Sequence, residues 1–322
     1  MDLQALAGGI DRDWPVGLVS ATTAELTRAG LGPRRLTAGV KFGLLLRLRH
    51  GVYIRKSDWA GLFPSQRDVL RLLAHCQATK STSLYSHLSA ARMWGLYVWN
   101  GSPDVHVTAK SALAGDSAVP GVRVHRRTLA PELRRRITHA TYGCVRVTSL
   151  EQTIVDCART ELFVTAVIIG DSGLHKGANL ELMNQLLARM AGHRGVRAAR
   201  RVLAALDKGS ESAGETRLRL AVAGMSVPQP EYQVWLRAAG NNYRVDGAWR
   251  HLKLALEFDG KSKYFDYKRT DEAIYAERQR ERELMEAGWM FLRVEWKDLG
   301  DPDLLKRRIL AAIAAASRRS KR

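Results

Sequence analysis

The chain has 322 residues, 46% hydrophobic and 26% charged, which are the proportions of a soluble globular protein with room for two or three domains. Its net charge of +19 is spread along the whole chain and not confined to one amphipathic helix, so nucleic acid is the expected polyanionic partner ahead of acidic membranes. No apolar run reaches transmembrane length, and an N-terminus carrying Asp2, Asp11 and Asp13 is not a signal peptide, so a cytoplasmic protein with no membrane partner is expected.

Residues 1–60 read as helix, turn, helix, hairpin. Ser20–Gly30 has a hydroxyl cap and a glycine stop. Leu31-Gly32-Pro33 turns the chain, and Pro33 suits the first position of a second helix, Arg34–Phe42. Leu44–Arg49 and Val52–Lys56, joined at Gly51, form a small β-hairpin. That order is a winged helix-turn-helix. Arg34, Arg35 and Lys41 on its second helix and Arg47, Arg49 and Arg55 on its wing are the expected DNA-binding residues. The plain alternative is a structural helix pair with a solvated basic face. The segment ending in RLRHGVYIR resembles the N-terminal domain of AbiEi-type antitoxins, which implies DNA binding, autoregulation and a cognate toxin.

Residues 61–209 form a mixed, mostly helical middle region. Pro64–Ala78 is a helix with a Ser65-x-x-Asp68 cap, and Ser83–Trp94 another closed by Gly95. Short strands are expected at Asp104–Thr108, Val122–His125 and Val145–Val147. Thr148-Ser-Leu-Glu151 is a capping box that opens a helix through Ala158, and residues 162–206 are mostly helical. The stretches SHLSAARMWGL and VRVTSLEQTIVDCAR resemble actinobacterial AbiEi-like proteins. Arg126-Arg127 and Arg134–Arg136 read as solvated loops more readily than as nucleic-acid contacts. Gly170-Asp-Ser-Gly173 spells the serine-protease nucleophile tetrapeptide, but it follows an apolar helical run and has no matching histidine and aspartate, so it is structural. Cys76, Cys144 and Cys157 make no disulfide framework, and the nine histidines show no zinc spacing.

Residues 210–322 carry the chemistry. Ser212–Glu215 opens a helix that ends at Gly224, with Glu215 either completing a capping box or serving as a metal-site carboxylate, or both. A strand around Tyr232–Leu236 leads into a hairpin spanning Tyr243–Asp259. Leu252, Leu254, Leu256 and Phe258 share one face, while Lys253, Ala255, Glu257 and Asp259 share the other. A tight turn at Arg250-His251 places Asp246 opposite Ala255 and diagonal to Glu257, about 7–8 Å away. Two carboxylates so placed, with Lys261 or Lys263 within reach, suit metal-dependent phosphodiester hydrolysis. The plain alternative is a mixed-charge solvent face. Gly260-Lys261-Ser262 lacks the upstream glycine of a P-loop.

Beyond the hairpin come a charged helix, Asp271–Ala287, a strand, Met290–Trp296, and a helix, Asp303–Ala316, before a basic tail. Helix, three strands, helix, strand, helix is the order of the PD-(D/E)XK restriction-endonuclease-like α/β core. VDGAW, ALEFDGKSKY and ERQRERELMEAGWMFLRVEWKDL resemble an actinobacterial domain family related to very-short-patch repair endonucleases. That resemblance implies Asp246 and Glu257 as catalytic metal ligands, Glu215 and Asp259 as further ligands, and Lys263 or Lys261 as the catalytic lysine. The chain departs from E-x-K, because Asp259 stands two residues after Glu257 and the lysines four and six after. An all-oxygen donor set implies Mg2+. The whole reads as a multi-domain α/β protein that binds and cuts DNA in phage defence or a toxin–antitoxin setting, with a homodimer among its assemblies. The alternative is an antitoxin-like transcriptional regulator that binds DNA without cutting it.

Overall fold

A computed structural model describes residues 2–80, 82–110, 119–260 and 271–320, apart from the side chains of 271–274. The protein is of the α/β type, with helices and three sheets among the described residues. It divides into two compact units, Met1–Leu96 with Asn100–Cys157 and Tyr97–Trp99 with Ala158–Arg322. The breaks expected after residues 60 and 209 both fall inside these units. Among the described residues no helix is long and apolar enough to cross a membrane.

In the first unit, helix α1 (Leu3–Arg12), absent from the sequence reading, is capped by Asp2 and turns Leu6 and Ile10 into a core with Trp14, Leu26, Leu31, Leu36 and Leu45. Strand β1 (Ser20–Thr22) precedes α2 (Thr23–Arg28), whose N-terminus is closed by a Thr22–Glu25 capping box. Helix α3 (Pro33–Lys41) starts on Pro33 as expected. Strands β2 (Leu45–Arg49) and β3 (Val52–Arg55) complete an antiparallel sheet of order β1-β3-β2.

After α4 (Lys56–Gly61) and α5 (Pro64–Ala78), a second sheet is assembled from β4 (Leu84–Tyr85), β5 (Val105–Ala109), β6 (Val122–Arg126), β7 (Arg134–His139) and β8 (Gly143–Thr148). Its order is β6-β5-β4-β8-β7, with β5–β6 and β4–β8 parallel. Four expectations need correcting. Ser83–Trp94 is not one helix: Leu84-Tyr85 is the central strand, with Tyr85 fully buried, and α6 (His87–Met93) follows it. Arg134–Arg136 is an edge strand, not a loop. Asp68 caps nothing and instead pairs with Arg71 at 2.9 Å and Arg92 at 2.8 Å. Ser149, one residue later than expected, accepts from the Gln152 N–H at the start of α7 (Leu150–Thr160).

The second unit begins with α8 (Phe163–His175), α9 (Leu180–Ala188) and α10 (Val196–Ala204). It continues with α11 (Ala213–Ala223), β9 (Glu231–Ala238), β10 (Asn241–Trp249), β11 (Leu254–Asp259), α12 (Asp271–Glu286), β12 (Met290–Glu295) and α13 (Pro302–Ser320). The sheet order is β12-β11-β10-β9, antiparallel except for the parallel pair β11–β12. One apolar cluster joins Leu254, Leu256 and Val294 to Leu218 of α11 and Ile309 of α13. A second joins Val234, Ala248 and Ala255 to Leu284 of α12.

The Gly170–Gly173 tetrapeptide lies inside α8 as scaffold. Asp171, 1% exposed, accepts from Arg219 at 2.7 Å, Thr216 at 2.8 Å and the Asp207 N–H at 2.7 Å. Removing one partner of such a buried pair strands the other. Asp171→Ala is therefore expected to lower the stability of this unit by about 3–5 kcal/mol, read by urea denaturation. Ser172→Ala, which removes a bond to the Tyr97 N–H, is expected to cost about 1 kcal/mol.

Candidate functional site

The acid cluster forms where β10 and β11 part. Their ladder pairs Trp249 with Leu254, Ala248 with Ala255 and Gly247 with Leu256. Asp246 therefore does not stand opposite Ala255. A 3-10 turn, Arg250–Leu252, followed by Lys253 at φ 47°, lengthens the connection and moves the register by two residues. The ladder stops at Gly247–Leu256, and Asp246 lies just past its end, close enough for its charge to act on Glu257.

Tyr243, Val245 and Ala248 all join the apolar cluster beneath α12, so the side-chain alternation of β10 slips between Val245 and Ala248. Asp246 sits at the slip, and its Oδ2 accepts the Phe258 N–H at 2.7 Å. The carboxylate thus satisfies a backbone donor at the point where the strand ladder ends.

Glu215 comes from the first turn of α11, where its N–H donates to the Ser212 hydroxyl. Its Oε2 accepts from the Glu211 N–H at 2.9 Å and from Gln233 at 3.2 Å. Glu215 and Asp246 line the same cavity with Asp207, Ser210, Arg219 and Tyr232, a space of about 10 Å³, enough for one water. Glu257 is held by Arg280 of α12, whose guanidinium also reaches the Arg244 carbonyl at 3.2 Å. Asp259 ends β11, in register with Glu295 of β12. Lys261 and Lys263 lie outside the described residues.

Burial, with the charge of Glu215 adding to it, pushes the Asp246 carboxyl up to about 6, against the Phe258 N–H, Arg280 and Arg244. Glu257 is also raised by burial, with Arg280 opposing and Asp246 adding. Glu215 is raised for the same first reason. Carboxyls that resist ionisation in this way gain from a nearby cation. Asp246 interacts electrostatically with each of the other two acids. Among the described residues, however, no three carboxylates bring oxygens within 4.8 Å of one another. Carboxylate oxygens are donors for a hard cation, and Arg280 competes with any such ion for Glu257 Oε1.

The predicted DNA contacts divide in two. Arg34, Lys41 and Arg47 are exposed. Arg35 pairs with Asp13 at 2.8 Å, and Arg55 is tied to Asp58 and Asp11 and lies over Trp14. Arg49 donates to the Pro120 and Gly121 carbonyls at 2.6 and 2.8 Å. These last three hold the fold.

Sequence reasoning missed a second cluster. His87, His106 and His125 bring one ring nitrogen each to within 4.8 Å of one another. They come from α6, β5 and β6, so no local spacing announces them.

No known family profile matches the chain. An uncharacterized protein of Mycobacterium tuberculosis, recorded in strains CDC 1551 and H37Rv, is 26% identical over 284 residues, spanning 86% of this chain and 95% of its own length. The crystal structure of the RV2827C protein of the same organism superposes with a TM-score of 0.37 at 16% identity, over 74% of this chain and 88% of that one.

Proposed function

We propose that this is a DNA-binding protein whose C-terminal part is a magnesium-dependent endonuclease of the PD-(D/E)XK type. The observation that carries the reading is that Asp246 lines one cavity with Glu215 and accepts the N–H of Phe258, the residue after Glu257, within an αβββαβα order whose last two strands run parallel. Bound Mg2+ would supply charge neutralisation at the scissile phosphate and a more acidic water. Asp246 and Glu257 would hold it, and Glu215 would hold a water or a third coordination position from α11. A plasmid-nicking assay with and without Mg2+ tests this directly.

DNA affinity is assigned to a winged helix built from α2, α3 and the β2–β3 hairpin. Arg34, Thr37, Val40 and Lys41 make an exposed stripe on α3, and Arg47 is exposed on the hairpin. Such a stripe offers cations to phosphates and a methyl-bearing surface to bases. The triple substitution of Arg34, Lys41 and Arg47 by Ala is expected to weaken DNA binding and to flatten the slope of log K against log salt by about 3, measured by fluorescence anisotropy. An unchanged slope would move the binding surface elsewhere.

The grip of Arg280 on Glu257 favours a second reading. A permanent ion pair there would leave a nuclease fold that binds DNA as an antitoxin-like regulator and does not cut it.

A further inference from the structure

We propose that His87, His106 and His125 form a binding site for one divalent transition-metal ion of the zinc class. Three separate elements deliver the rings: the start of α6, β5 and β6. Ligand nitrogens around a tetrahedral zinc ion lie about 3.3 Å apart, given Zn–N bonds of about 2.0–2.1 Å. His106 Nδ1 and His125 Nε2 share a hydrogen bond at 3.0 Å, which an ion would replace, and all three donor atoms lie within 4.8 Å. The rings of His87 and His125 stack at 3.5 Å, so closure on an ion needs one ring to rotate. His125 is the partly exposed member of the three and has the room to do so.

The surroundings fit an ion better than they fit three bare rings. Ser86 Oγ lies 3.0 Å from His87 Nδ1 and accepts from the Thr108 hydroxyl at 2.8 Å. Hydrogen-bond partners of this kind orient metal-bound imidazoles and fix their tautomer. His106 is 1% exposed, so its ring is shielded from competing solvent. His87 holds a left-handed backbone, φ 49°, strain of the sort that gathers at binding sites.

The neighbouring guanidiniums are paired, Arg123 with Asp104 at 3.1 Å and Arg92 with Asp68 at 2.8 Å, the latter shared with Arg71, which reduces their opposition to a cation. Imidazole donors without a carboxylate select zinc, cobalt, nickel or copper over magnesium. Three protein ligands leave the fourth position to water. This site lies in the first unit and shares no residue with the acid cluster.

The test uses untagged, full-length protein stripped with a chelator and titrated with Co2+. The expected result is one Co2+ per chain bound with the intense visible absorption of a tetrahedral nitrogen site, displaced by Zn2+ and separate from any weakly absorbing ion at the acids. His125→Gln, checked for folding by circular dichroism, is expected to lose at least tenfold in affinity, while Asp246→Ala/Glu257→Ala keeps the site. Absence of stoichiometric uptake by the wild-type chain, a weak octahedral spectrum, unchanged uptake in folded His125→Gln, or loss of uptake in the double acid variant would each overturn the proposal.

Discussion

Asp246→Asn is expected to lower magnesium-dependent DNA cleavage by about 10²–10³-fold, the size of effect that follows removal of one strong electrostatic group from a reacting site. Asparagine is the sharper probe because its carbonyl oxygen can still accept the Phe258 N–H that Oδ2 accepts at 2.7 Å. The fold loses a charge but not a hydrogen bond. Alanine would also strand that donor, with a stability penalty of about 1–3 kcal/mol that blurs the reading. The expected pattern is therefore a melting temperature close to that of the wild type together with lost cleavage. A variant that keeps cutting would remove Asp246 from the chemistry. Because the Asp246 carboxyl is raised to about 6 in the metal-free chain, loading of Mg2+ that needs it ionised should weaken as pH falls through that value.

The first unit is expected to lose stability steeply on acidification. Burial lowers His75 to about 4, His106 to about 3 and His125 to about 4, with His125 and nearby arginines adding to the effect on His106. Above the ordinary histidine value of about 6.5 both folded and unfolded chains are neutral at these positions, and nothing is lost. Between that value and the depressed ones the unfolded chain takes up protons that the folded chain refuses, so stability falls with pH. At pH 5 the gap is about 2 kcal/mol for a ring depressed in this way, and three such rings, two of them interacting, fall in one unit. Asp246 works in the opposite direction in the other unit, where its raised value adds about 1–2 kcal/mol between pH 6 and pH 5. Urea denaturation of metal-free protein at pH 7.5 and pH 5, followed by tryptophan fluorescence, should show the first unit losing its resistance to urea. Equal midpoints at both pH values would mean that the rings are protonated without cost.

Much of the fold was legible because periodicity and punctuation agreed. Pro33, the Gly51 turn and the Ser212 cap each marked an element end, and the period-2 run into Phe258 marked β11. Elements with weak local signals escaped. Helix α1 carries Gly8-Gly9, which reads as a breaker, yet a Cβ on Gly9 would fall 2.0 Å from the Arg35 guanidinium, so glycine is what permits the close approach. Strand β4 is two residues long, too short for any period, and β7 is an arginine-rich edge whose sequence looks solvated.

At the candidate site, the relative positions of the acids were not readable. The left-handed Lys253 shifts the register of the hairpin, and a lysine in a positive-φ position leaves no mark in a sequence. Arg280 reaches Glu257 from 23 residues away, and the three histidines meet only because two strands and a helix are brought together by the second sheet. Contacts of that range belong to tertiary packing, which local pattern does not encode.

Nicking of supercoiled plasmid by the full-length chain, with Mg2+ and with EDTA, beside Asp246→Ala/Glu257→Ala, puts the nuclease reading at most direct risk. The expected result is nicking by the wild type with Mg2+ alone, none by the double variant, and equal retardation of the plasmid by both in a gel. No nicking by the wild type in any divalent ion, or equal nicking by the double variant, would contradict it.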